Sequence, residues 1–134
     1  MRSYQFDLLC FGENDGKLGA FEPPSIPGFQ VNRIFYIFDV PAGEERANHA
    51  CMNSSILFMA LAGVVSLSVE THEEKAEYIL NKKTMAVFVP QSSWIRAYNF
   101  SRDAVLVGLS DRRYADCQYI NDYDRYRELM RKEK

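Results

Sequence analysis

The sequence predicts an all-β single domain, a β-barrel or sandwich of jelly-roll type with a short helix at its C-terminal end. Three observations carry this prediction. Short β-branched and aromatic runs recur along residues 4–109, the composition of strands that lie on a half-buried, pleated surface. Turn residues interrupt them about every eight to twelve positions, the spacing of a sandwich or barrel. Only the tail, Asn121–Lys134 (NDYDRYRELMRKEK), is helical in composition.

The elements follow in order. Tyr4–Phe11 (YQFDLLCF) is a strand, and Glu13–Lys17 contains Asp15-Gly16, a strong turn signal. Leu18–Glu22 is a second strand. Pro23, Pro24 and Pro27 forbid regular pairing and predict an extended, ordered loop. Phe29–Val40 (FQVNRIFYIFDV) is β-branched and aromatic throughout, hence a strand, and Gly43 marks the turn after it. Val64–Glu70 alternates as a half-buried strand does. Thr71–Lys75 is a polar hairpin loop. Ala76–Leu80, Thr84–Val89, Ser93–Asn99 and Ala104–Leu109 are further strands. In the tail, Asn121 or Asp122 can cap a helix and the basic residues sit late, as the helix dipole prefers. Tyr123, Tyr126 and Met130 share one helical face.

The stretch Arg46–Val65 (RANHACMNSSILFMALAGVV) stands apart. It reads as a strand buried on at least one face and ended by Gly63. His49 and Cys51 are two residues apart, so a regular strand projects them from the same face. A reactive pair at the entry of a buried strand suits a site at a barrel mouth.

Composition excludes several classes. A chain of 134 residues makes one domain with a sizeable core, not two. The net charge of -2 gives no reason to expect nucleic acid as a partner. No apolar run approaches the ~20 residues of a membrane helix. The N-terminus lacks the long apolar stretch of a signal peptide. Cys10, Cys51 and Cys117 fit reduced thiols in the cytoplasm better than a disulfide framework.

His49 is a candidate general base, since imidazole titrates near neutral pH. It is equally readable as a satisfied histidine at a strand end. Arg46, three residues earlier, could hold an anion or stabilise an enolate. Cys51 could act as nucleophile or acid if His49 or Arg46 lowered its pKa, though a strand cysteine is more often a small buried apolar residue. Trp94, Arg96 and Tyr98 alternate along one strand, a face able to stack a base or sugar and to pair with phosphate. Lys17, Arg33, Arg46 and Arg96 could converge on a diphosphate. No metal is expected. A metal-binding cupin barrel usually shows His-x-His, then Glu, then a later His. Here Cys51 replaces the second His, MNSSILF has no Glu and WIRAYN has no His, leaving only His49, Cys51 and His72.

Five segments carry a family resemblance over nearly the whole chain: DGKLGAFE, IPGFQVNRIFYIFDVPAGEERANHA, LAGVVSLSVE, VFVPQSSWIRAYNFSRDAVLVGLSD and YINDYDRY. The chain resembles the cupin-fold sugar 3,4-ketoisomerases. These act on dTDP-4-keto-6-deoxyglucose in making amino sugars for bacterial surface polysaccharides such as O-antigen lipopolysaccharide. Family members carry Arg-Gly-x-His-Ala-His-Lys, which reads Arg46, Ala47, Asn48, His49, Ala50, Cys51, Met52 here. A glutamine usual in the following strand is Ile56. A tyrosine usual after the arginine of the preceding strand is Phe35, although Arg33 and Tyr36 remain. An Arg-Gly near the N-terminus reads Asp15-Gly16, and Ile95 follows the tryptophan.

The resemblance implies His49 as base, with Cys51 and Arg46 beside it as catalytic residues. It implies Arg33, Tyr36, Lys17, Trp94 and Arg96 in binding a dTDP-linked sugar nucleotide, with no cofactor. It further implies a homodimer in which residues 1–22 exchange between subunits. The alternative from another class is a non-catalytic cupin that binds a nucleotide sugar or a protein partner.

Overall fold

Alternating burial along the strands decides the architecture seen in the computed structural model, which describes residues 1–22 and 25–132. In chain order the strands are β1 (Tyr4–Asp7), β2 (Leu9–Glu13), β3 (Gly16–Ala20), β4 (Arg33–Phe38), β5 (Arg46–Cys51) and β6 (Ile56–Ala62). They continue with β7 (Val65–Glu70), β8 (Lys75–Leu80), β9 (Met85–Val89), β10 (Ser93–Tyr98), β11 (Val105–Ser110) and β12 (Tyr119–Ile120), followed by helix α1 (Tyr123–Lys132). One five-stranded sheet runs β1-β9-β6-β11-β4 and another runs β12-β5-β10-β7-β8. Their inner faces share one core, built on Phe58, Val65, Leu67, Val87, Ile95 and Leu106. Hydrogen bonding does not continue from sheet to sheet among the described residues. The expected all-β jelly roll is therefore two sheets closed around a core, with β2 and β3 pairing only with each other.

The stretch expected as one strand, Arg46–Val65, is two strands in different sheets. The polar break MNSS is what divides it. Asn53 Nδ2 donates to the Asp116 carbonyl at 2.9 Å. The Ser54 hydroxyl lies 2.8 Å from the Ser110 hydroxyl and donates to Asp111 Oδ1 at 2.8 Å. The Ser55 N–H donates to the same oxygen at 3.0 Å. These bonds satisfy backbone and hydroxyl groups that a continuous ladder would otherwise have claimed.

Other boundaries shift for similar reasons. Tyr4–Phe11 divides at Leu8, whose N–H turns to the Thr84 carbonyl at 2.7 Å. Phe29–Asn32 are not strand, because Phe29 is buried on the outer face of the first sheet with Leu57, Ala86 and Phe88. The predicted loop at Pro23 and Pro24 lies outside the described residues, as do the last two positions of the tail. Asp122 is the residue that caps α1: its Oδ1 accepts from the N–H groups of Asp124 at 3.0 Å and Arg125 at 3.4 Å. Tyr126 and Met130 are buried, and the Tyr126 hydroxyl donates to the Ser92 carbonyl at 2.8 Å, pinning the helix to the second sheet.

Candidate active site

A cavity of about 480 Å³ opens between the two sheets. Arg33 and Phe35 reach it from β4, Arg46 and His49 from β5, Ile95 from β10, and Tyr119 from β12. A bulge aims the β5 residues. Ile95 pairs with His49, but the next residue, Arg96, pairs with Ala47, so Asn48 is the extra residue. Ala47 and Asn48 carry φ of 70° and 56°, left-handed values that non-glycine residues adopt at a cost. The bulge keeps both Ala47 and His49 on the cavity wall. Across the site, Gly108 makes room for Phe35: a Cβ there would collide with the ring.

The centre is a contact set of His49, Tyr119 and Arg33. The His49 ring meets the Tyr119 ring edge-on, with centroids 4.9 Å apart. Arg33 Nη1 donates to the Tyr119 hydroxyl at 3.1 Å. The same guanidinium lies over the Phe35 ring at 4.7 Å and the Tyr114 ring at 5.1 Å. Among the described residues no carboxylate pairs with Arg33 or Arg46. Burial, and then the charges of Arg33 and Arg46, hold the His49 pKa below the usual histidine value. His49 is therefore a neutral imidazole at pH 7, ready to accept a proton. Two unpaired guanidiniums beside a neutral base can hold an anion and stabilise one that forms nearby.

Cys51 sits further along β5, in register with Ser93 and Tyr119. It is buried and does not line the cavity. Its Sγ donates to Asn53 Oδ1 at 3.5 Å. Burial, with the neighbouring Cys117 thiol, pushes its pKa up to about 11, so it is a thiol rather than a thiolate at neutral pH.

The structure does not bring the other sequence candidates to the cavity wall as a group. Along β10 the inward residues are Ile95 and Ala97, so Trp94, Arg96 and Tyr98 face outward. Trp94 packs against Tyr123 and Tyr126 of α1, at 5.2 and 5.6 Å between centroids. Arg96 makes a two-pronged pair with Glu45, at 2.9 and 3.1 Å, and covers the Tyr98 ring at 4.2 Å. Lys17 lies on the exposed β2–β3 hairpin. Tyr36 touches the cavity, but its ring stacks on Phe38 at the surface. Sequence reasoning missed Tyr119 and Tyr114. Tyr119 had one signal, as the first residue of the segment YINDYDRY, and Tyr114 had none. Among the described residues no three His, Cys, Asp or Glu side chains gather into a possible metal site.

Comparison with known proteins adds the lineage. The model of the family described as "FdtA: WxcM-like, C-terminal" matches residues 2–131. The chain belongs to this family. Within the FdtA/WxcM-like group it is similar to a TDP-4-oxo-6-deoxy-alpha-D-glucose-3,4-oxoisomerase from Aneurinibacillus thermoaerophilus, 26% identical over 90% of this chain and 86% of the relative. Its structure is similar to that of a 3,4-ketoisomerase from Helicobacter canadensis, with a TM-score of 0.89 and 26% identity over 98% of each chain. It is also similar to the TDP-fucose-3,4-ketoisomerase WlaRA from Campylobacter jejuni, with a TM-score of 0.86 and 30% identity over 97% of this chain and 96% of that one. The jelly-roll fold read from the sequence is thus the FdtA/WxcM-like fold.

Proposed function

We propose that this protein is a 3,4-ketoisomerase acting on a dTDP-linked 4-keto-6-deoxyhexose. The observation that carries the reading is the neutral His49 sharing a cavity of about 480 Å³ with Arg33 and Arg46, which have no carboxylate partner among the described residues, in a chain of this family. His49 takes the proton from C3 as general base. Arg33 and Arg46 hold the diphosphate or the enediolate oxygen, where fixed positive charge contributes most. Cys51 stands at the family's second histidine position. As a neutral buried thiol off the cavity wall, it is not read as a second base. Trp94 and Arg96, expected in substrate binding, are left out of the proposed site because Ile95 and Ala97 are the β10 residues on the cavity wall.

Two solved structures of such relatives carry a ligand: one, a 3,4-ketoisomerase from Thermoanaerobacterium thermosaccharolyticum, is bound to TDP, and a mutant of it to TDP-4-keto-6-deoxyglucose. We assign the product to amino-sugar synthesis for surface polysaccharides. The three unbridged cysteines support a reducing, cytoplasmic setting.

A homodimer is part of this reading. Leu9, Phe11 and Leu18 of the β2–β3 hairpin are exposed, as are Ile34, Tyr36 and Phe38 on the edge strand β4. So much apolar surface on an unpaired hairpin and a sheet edge supports exchange with a second copy, which would bring Lys17 into play. Gel filtration at the monomer mass would remove the dimer from the proposal.

The test of the activity is proton exchange. The protein is incubated with dTDP-4-keto-6-deoxyglucose in D₂O and the sugar is followed by NMR. Loss of the C3 proton with movement of the ketone to C3, abolished in His49→Asn, is the expected result. TDP-sugar binding without exchange would instead favour the non-catalytic alternative.

A further inference from the structure

The isomerisation moves two kinds of proton, and His49 accounts for one. A hydrogen leaves C3 and another arrives at C4. Separately, the C4 oxygen must gain a proton and the C3 hydroxyl must lose one. The family's usual histidine and tyrosine at two positions are Cys51 and Phe35 here. Phe35 offers no proton, and Cys51 does not reach the cavity. The oxygen-side acid must come from elsewhere on the wall.

Tyr119 is placed for it. Its ring contacts His49 edge-on at 4.9 Å, so a substrate carbon beside His49 has its oxygens within reach of the phenol. Arg33 donates to its oxygen at 3.1 Å, which stabilises a phenolate when one forms, and the phenolic proton faces the Cys117 thiol until a substrate oxygen takes its place. Tyr119 comes from the two-residue strand β12, in register with Cys51 and Ala50, and Tyr114 packs on it at 5.6 Å. The ring is thus held between His49 and Tyr114 while Arg33 fixes its oxygen.

We infer that Tyr119 is a catalytic residue of the reaction, carrying a proton between the two sugar oxygens while His49 carries the hydrogen between the two carbons. This rests on the isomerase reading above. The balance closes without a further reactant. His49 takes the C3 hydrogen as the Tyr119 O–H bond breaks and its proton forms a bond to O4, giving the enediol, an imidazolium and a phenolate. The phenolate then takes the O3 proton, the ketone forms at C3, and the imidazolium returns its hydrogen to C4. Both side chains end as they began. Burial keeps Tyr119 protonated at neutral pH, as a donor must be.

Tyr119→Phe tests this, because it keeps the ring contacts and removes only the hydroxyl. The wild type is assayed first: absence of isomerisation there overturns the isomerase reading itself. Given an active wild type, the expected variant loses kcat by ~10²–10⁴-fold, with TDP affinity, KM and melting temperature little changed. A kcat loss smaller than tenfold overturns the inference. So does a loss matched by an equal loss of TDP binding, which marks a structural role. Should Tyr119→Phe not fold, a fluorinated tyrosine at 119 keeps the shape and acidifies the phenol. A basic limb then enters kcat/KM at lower pH than in the wild type, and an unmoved profile overturns the assignment.

Discussion

Arg33 Nη1 donates to the hydroxyl of Tyr119 at 3.1 Å across 86 positions of sequence. The bond ties the edge strand of one sheet to the short strand that ends the other. It leaves the guanidinium charge facing the cavity with no carboxylate partner among the described residues, and that charge is what a diphosphate or enediolate would meet. Arg33→Ala is expected to weaken TDP binding by ~10–100-fold, the range for a hydrogen bond to a charged group. Arg33→Lys should recover only part of it, because an ammonium lacks the planar fork. Calorimetry with TDP decides: equal affinity for all three proteins would place the nucleotide elsewhere.

The acid side of the pH profile follows from His49. Burial and two guanidiniums hold its folded pKa below the usual value. The base is competent when unprotonated, so kcat/KM should stay high as pH falls through ~6.5 and decline only at the lower folded value. A decline centred above ~6.5 would mean that His49 is not the group that titrates.

Ala47 stands at a left-handed position, φ 70°, where the resembled family has glycine. Ala47→Gly should relieve strain by up to about 1 kcal/mol after its own entropy cost. That raises the melting temperature by ~3 °C. A fall in melting temperature would show that the alanine methyl on the cavity wall contributes more than the strain removes.

Thiol reactivity should separate Cys10 from Cys51. Cys10 is exposed and Cys51 is buried with its pKa pushed up to about 11. An aromatic disulfide reagent at pH 7 should label Cys10 quickly and Cys51 only on unfolding. Rapid labelling of Cys51, read by peptide mass spectrometry, would contradict its neutral, covered state.

Asp111 clamps the crossing between β5 and β6 through Ser54 and Ser55. Asp111→Ala should cost about 1–3 kcal/mol by leaving those donors unpaired, seen as a lower urea midpoint. An unchanged midpoint would mean that the crossing is held by Asn53 and Ser110 alone.

Much of the fold was legible in the sequence. Period-two alternation requires one face of each strand to be buried, so β7, β10 and β11 fall within a residue or two of their expected places. The capped tail, with Asp122 at its start and Tyr126 and Met130 on one side, formed the helix its composition called for. His49 and Arg46 were legible as candidates by residue type, but a regular strand would turn side chains three positions apart to opposite faces, and the bulge at Asn48 is what brings both to the cavity. What tertiary structure alone decided were facts of pairing between distant segments. Whether Arg46–Val65 was one strand or two depended on Asp111 and Asp116, 56 and 63 positions on from their partners. Which face of β10 met the cavity depended on which sheet it joined, and that choice turned Trp94 and Arg96 outward. Tyr119 entered the site because β12 pairs with β5, a register that no local pattern encodes. Local periodicity comes from the geometry of one strand, whereas a site comes from which strands meet.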